Sequence, residues 1–228
     1  MPTQRPEVFQ YVNPASGCTK CPALVRDRHH VVWGSGPEKS DILFLGEAPG
    51  YNEDQVGLPL VGAAGREAGK MVWEAGAAWV DIAVRNRMMC RPPGNRDPDA
   101  REMAACEPWL WQNMRMVNPK LIVCFGRYAQ ALMFSGMHQV HEVEGLMYRW
   151  VCFGCGGMDM QHLGRYASDG VWVQQAYNHC SIQMTKVLVA AIYHPASVIG
   201  GKNPENRQRI VEQLKRAINE LHVMQRTE

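Results

Sequence analysis

The chain has 228 residues, 46% hydrophobic and 20% charged, enough apolar material to bury a core and to exclude a disordered chain. Lys and Arg number 24 against 22 Asp and Glu, and the formal charge of +2 excludes a bulk polycation while leaving room for a local basic patch. No apolar run approaches the roughly 20 residues of a membrane span. The opening MPTQRPEVFQ lacks the apolar stretch of a secretory signal, so a cytoplasmic protein that does not enter a membrane is expected.

Four short apolar, β-branched runs read as buried parallel strands: 41–46 (DILFLG), 81–86 (DIAVRN), 120–126 (KLIVCFG) and 186–193 (KVLVAAIY). A helical pattern over 64–75 follows the first. Asp97-Pro98 reads as an N-cap followed by Pro at the first helical position. Met103, Cys106, Leu110, Met114 and Val117 then recur at helical spacing until Asn118-Pro119. The last helix starts at Asn203-Pro204 and carries Ile210, Leu214, Ala217 and Leu221 as one apolar stripe. Residues 150–185, rich in Gly, Met, His and Cys, show no period and read as a long insert before the last strand. The expectation is an α/β fold. Its three α/β/α layers would surround a mainly parallel four-stranded sheet, as a single domain over 1–228.

Eight cysteines in a reducing compartment favour metal ligation over disulfides. Two CxxC pairs stand out, Cys18/Cys21 and Cys152/Cys155. Each sets two thiolates on one tight turn, a bite that suits zinc or an iron–sulfur cluster and needs ligands from elsewhere. In the insert, Cys152, Cys155, His162, His179 and Cys180 could bind zinc; the plainer alternative is a loop with spare cysteines. Arg165, Tyr166, Trp172 and Tyr177 in the same stretch are residue types suited to contact with a single strand of nucleic acid.

The first strand runs into Gly46-Glu47-Ala48-Pro49-Gly50-Tyr51-Asn52-Glu53-Asp54, then Gly57-Leu58-Pro59-Leu60-Val61-Gly62-Ala63-Ala64-Gly65. Ligands bind at this edge of an open α/β sheet. The glycines allow close backbone approach, and the acids could polarise water or face developing positive charge. Neither a Walker P-loop nor a dinucleotide fingerprint is present. A Gly-rich turn with solvated acids is the plainer reading.

This loop resembles the first motif of the family 4, iron–sulfur uracil-DNA glycosylases. The resemblance extends to Asn86 at the end of the second strand, to Cys90-Arg91-Pro92-Pro93-Gly94-Asn95-Arg96, to Cys106, to 119–126 and to Tyr193-His194-Pro195. It covers residues 18–135 and 186–223. What it implies is a monofunctional DNA glycosylase that hydrolyses the N-glycosidic bond of deoxyuridine, with DNA as partner and a monomer as the working form. Cys18, Cys21, Cys90 and Cys106 match the positions that hold a [4Fe–4S] cluster, a Cys₄ zinc site being the alternative. Asn86 matches the base-reading amide. His194 matches the second-motif histidine, whose N–H would stabilise the leaving uracil anion. Glu47 and Glu53 are the carboxylate candidates, with Asn95 positioning water and Asp54 as a supporting acid. Ala48 stands where better-known uracil glycosylases carry an Asp, and Leu60 where the family has a Phe that stacks on the flipped base. The Arg that often follows His-Pro is absent. Leu60 and the insert leave two alternatives: a superfamily glycosylase for another base, or a non-catalytic iron–sulfur DNA-binding protein.

Overall fold

The computed structural model describes residues 12–134, 145–151 and 185–227. All four expected strands are present, as β1 (Ile42–Gly46), β2 (Ile82–Asn86), β3 (Leu121–Phe125) and β5 (Thr185–Ile192). They lie parallel in the spatial order β2-β1-β3-β5. The sheet also has a fifth strand, β4 (Gly145–Val151), antiparallel to β5 at the edge. β4 takes up Trp150 and Val151 and β5 begins at Thr185, so both ends of the stretch expected as an insert are strand; its candidate zinc ligands Cys152, Cys155, His162, His179 and Cys180, and contact residues Arg165, Tyr166, Trp172 and Tyr177, lie outside the described residues.

Period-two alternation sends successive strand residues to opposite faces. Phe44, Val84, Val123 and Ala190 pack under α3 (Ala63–Glu74) and α6 (Pro204–Thr227). Leu43, Leu45, Ala83, Ile122 and Val189 pack under α4 (Ala100–Val117) and α5 (Gly126–Phe134). Two apolar layers thus sandwich a buried parallel sheet, giving the three-layer α/β/α fold. The stripe Ile210, Leu214, Ala217 and Leu221 is buried as expected.

One helix boundary differs from expectation. α4 starts at Ala100, with Asp99 rather than Asp97 as its N-cap. Asp99 has Glu102 three residues on, and the two close a capping box: Glu102 N donates to Asp99 Oδ1 at 2.8 Å and Asp99 N to Glu102 Oε2 at 3.0 Å. Asp97 has no acid at its third following position, and it pairs with Arg127. At the other end Asn118 adopts the left-handed conformation and closes the helix.

Beneath β2 lies a buried cation. Arg85 is 1% exposed, and its guanidinium donates to Asn113 Oδ1, to Ser35 O at 2.7 Å and to Val84 O at 2.9 Å. Asn113 in turn donates to Trp33 O at 2.8 Å. Gly34 has φ +151°, and a Cβ there would run into the Arg85 side chain. Residues 33–35 are thereby locked to β2, also through a Ser35–Val84 bridge.

Candidate active site

The strand order reverses between β1 and β3, and ligands of such sheets bind in the crevice at that switch point. Along the carboxyl edge stand Asn86 (end of β2), Glu47 (after β1), Gly126 (after β3) and His194 (after β5). These residues are distant in sequence and brought into one row by the parallel register.

Asn86 is buried at 7% exposure. Its side chain lies over Gly46, where a Cβ would strike Asn86 Oδ1; Gly46 is required for that placement. Glu47 is held in two ways. Its backbone O accepts Met88 N at 2.8 Å, and its Oε1 accepts Tyr128 N at 3.0 Å, in the first turn of α5, where unpaired N–H groups favour an anion. A Cβ at Gly126, which has φ +77°, would lie 2.6 Å from that same oxygen. Arg87 braces the arrangement by donating to Tyr128 O at 2.7 Å.

Glu53 lies in the short helix α2 (Tyr51–Val56), and its Oε1 accepts Val61 N at 3.0 Å and Gly62 N at 2.8 Å at the start of α3. Both candidate carboxylates are therefore fixed on backbone N–H groups. Half-buried His194 has Phe125 edge-on, ring centroids 6.4 Å apart. Its Nδ1 accepts Ala196 N at 3.1 Å, which leaves the proton of the neutral ring on Nε2. Burial pulls the His194 pKa below its ordinary value, and Glu47 first, then Glu53, oppose that pull. The ring is thus a neutral N–H donor facing two carboxylates.

Leu60 takes a left-handed backbone (φ 53°), and its side chain packs against the Phe44–Phe125 core cluster. Its carbonyl fills the space where a Gly65 Cβ would stand. Ala48 packs against the cluster containing Cys90 and Cys106. Asn95 is exposed and its Oδ1 accepts Arg91 Nε at 2.7 Å, so its amide is engaged with an arginine at the rim. Asp54 is fully buried and accepts His29 N at 3.0 Å, His29 Nδ1 at 2.8 Å and His30 N at 3.3 Å. Burial would raise its pKa, but these donors hold it below the ordinary carboxylate value. His29 and His30 are the partners that anchor this acid.

Behind the crevice, Cys21 precedes α1 (Pro22–Asp27) and packs with Cys90 and Cys106 in a third apolar cluster. None of Cys18, Cys21, Cys90 and Cys106 is in a disulfide, and burial pushes the Cys21 and Cys90 thiols above their ordinary pKa. Burial pushes Cys106 up to about 12. Arg28 links the set, donating to Cys90 Sγ at 3.1 Å and to Cys18 O at 2.6 Å. Among the described residues no three Cys, His, Asp or Glu side chains close on the geometry of one metal ion.

Sequence reasoning missed Gly126, Tyr128 and Arg87, although a glycine directly after a strand at the switch point is a readable signal.

An open parallel sheet with a polar crevice at its switch point defines the class. A family model described as the uracil DNA glycosylase superfamily matches residues 33–215. The type-4 uracil-DNA glycosylase of Saccharolobus solfataricus is 31% identical over 204 residues, covering 87% of this chain and 79% of that protein. Those of Sulfurisphaera tokodaii and Archaeoglobus fulgidus are each 33% identical, covering 90% and 82% of this chain and 80% and 81% of theirs. The chain belongs to the uracil DNA glycosylase superfamily, in its type-4 group.

Proposed function

We propose that the protein hydrolyses the N-glycosidic bond of deoxyuridine in DNA, releasing uracil and leaving an abasic site. The observation that carries this reading is a neutral His194 with its Nε2–H directed away from Ala196, set in one crevice with Asn86 and two fixed carboxylates. The names of the relatives support it. The target nucleotide must leave the stack to enter such a crevice. The Asn86 amide reads the base, donating to O4 and accepting from N3–H, a pattern cytosine does not match. As the glycosidic bond breaks, the electron pair goes to the base, and the His194 N–H stabilises the charge on O2. The sugar becomes cationic and Glu47 and Glu53 face that charge; water bonds to C1′ and loses a proton to solvent, and the departed uracil anion takes one up from solvent. Glu53 combines this with holding the start of α3. Ala48 and Leu60 line the base, Leu60 in place of an aromatic. Asn95, whose Oδ1 accepts Arg91 Nε, is the water-positioning group in this reading.

The test is a labelled single-stranded oligonucleotide bearing one deoxyuridine, followed by alkali. Strand cleavage that His194→Ala and Asn86→Ala each lower by at least about 100-fold supports the roles, the magnitude expected of one oxyanion-stabilising donor. Intact oligonucleotide with wild-type protein overturns the reading.

The four thiols fit a [4Fe–4S] cluster. They converge from separate segments, two are buried in apolar surroundings, and Arg28 supplies positive charge beside them. Cys18, Cys21, Cys90 and Cys106 would each supply one thiolate to the cluster. When bound, the cluster would supply folding energy and pin the N-terminal segment to the loop after β2. Iron and sulfide analysis, with visible absorbance lost in Cys106→Ala, checks this; zinc in place of iron would refute it. Among the described residues no helix is long and apolar enough to cross a membrane. A cytoplasmic monomer of one domain over 1–228, working on DNA, is the form we infer.

A further inference from the structure

Two arginines at the mouth of the crevice lie on aromatic rings, and both are tied to one loop. The Arg91 guanidinium sits 5.2 Å from the Tyr51 ring centroid while its Nε donates to Asn95. The Arg127 guanidinium sits 4.7 Å from the Tyr128 centroid, donates to Tyr128 Oη at 3.0 Å and pairs with Asp97. Asn95 and Asp97 belong to the same loop after β2. This lip is continuous with the crevice, because Tyr51 follows the Glu47 loop and the Tyr128 N–H holds Glu47.

The pairs differ from a purely structural one nearby. Arg96 grips the buried Glu102 with two hydrogen bonds of 2.8 and 2.6 Å, completing the capping box. Arg127 and Asp97 are 53% and 67% exposed, and surface pairs of that kind contribute little to stability. Asp97 therefore occupies, at small cost, the place on Arg127 that a phosphate would take. Tyr51 is 58% exposed, unusual for a large aromatic, and only one ring face is needed for Arg91.

We propose that Tyr51, Arg91 and Arg127 form a landing lip for the unpaired DNA strand beside the extruded nucleotide. A neighbouring base stacks on Tyr51, and strand phosphates reach Arg91 and take Arg127 from Asp97. Asn95 holds Arg91 in place. The proposal rests on the excision reading for what enters the crevice, but the lip itself requires only single-stranded DNA.

The experiment measures binding of a fluorescent oligothymidylate, with uracil release assayed separately. Tyr51→Ala and Arg127→Ala should each weaken binding about tenfold, in line with base–aromatic stacking and phosphate pairing. Tyr51→Phe should bind like wild type. The slope of log affinity against log salt should become shallower by about 0.7 in Arg127→Ala. Asp97→Asn should tighten binding severalfold, since it frees Arg127; a pair that merely braces the loop would give the opposite sign. All these side chains are at the surface, and matched melting temperatures would confirm intact folds. Unchanged binding in Tyr51→Ala and Arg127→Ala, or weaker binding in Asp97→Asn, overturns the lip. A wild-type protein that shows this binding pattern yet releases no uracil would refute the excision reading and uphold the lip.

Discussion

The surroundings of His194 favour the neutral ring and fix which nitrogen holds its proton. Desolvation lowers its pKa, the Ala196 N–H claims Nδ1, and Glu47 and Glu53 pull the other way. At neutral pH, nitrogen NMR should show a bare Nδ1 and a protonated Nε2, with a midpoint below the usual value of about 6.5. Glu47→Gln should move that midpoint further down, since it removes the stronger of the two opposing carboxylates; an upward shift would contradict the arrangement. Because the folded-state pKa is depressed, the ring's contribution to stability is present above the unfolded pKa and lost as pH falls. Leu60 stands where the family resemblance leads one to expect Phe. It packs well against the core but offers no aromatic face. Leu60→Phe should tighten uracil binding up to about tenfold, about 1.4 kcal/mol and within the 1–3 kcal/mol range for base stacking. An unchanged KM on deoxyuridine oligonucleotides would show that the base does not lie there.

At the scale of elements, α5 and α3 act through their N-termini. Each presents backbone N–H groups that fix one carboxylate, so the acids are oriented before substrate arrives. Gly126 makes this possible for Glu47. Gly126→Ala adds left-handed strain of about 1–2 kcal/mol and also displaces the carboxylate from its hydrogen bond. Gly76 has a similar φ of +85° with open space where a Cβ would go, so Gly76→Ala carries the strain alone. Melting temperatures should fall similarly in both, while single-turnover uracil release should drop at least about tenfold only in Gly126→Ala, the equivalent of 1.4 kcal/mol in the barrier.

Across the whole molecule, the cysteine pole and the crevice are joined by Asp54. It lies in α2 beside the loop after β1, yet its carboxylate binds His29 and His30, adjacent to Arg28 and so to Cys90. Asp54→Asn should cost about 1.5–3 kcal/mol in urea unfolding at neutral pH, the range for hydrogen bonds to a charged group. The Asp54 carboxyl titrates below its ordinary value in the folded state. Its stabilisation is therefore present above the unfolded pKa of about 3.9 and lost below it. The gap between wild type and variant should close as pH is lowered through that range. A gap that persists would mean packing rather than charge links the two regions.

The sequence alone determined the four parallel strands, because buried strands must read as continuous apolar runs, and the stripe of α6, because one face must be apolar. The places of Asn86 at the end of the second strand and of His194 just after the last were legible too. The site's inner geometry was not. α4 takes Asp99 rather than Asp97 as its N-cap because a capping box needs an acid at a third position, which Asp97 lacks. Glu53 and Asn95 turned out to be held by Gly62 and Arg91, and Gly126, Tyr128 and Arg87 gained their importance through Glu47, which lies 81 residues from Tyr128. Such contacts depend on which strand ends the sheet order brings side by side. That order is decided by packing two helical layers onto one sheet, not by any local run of residues.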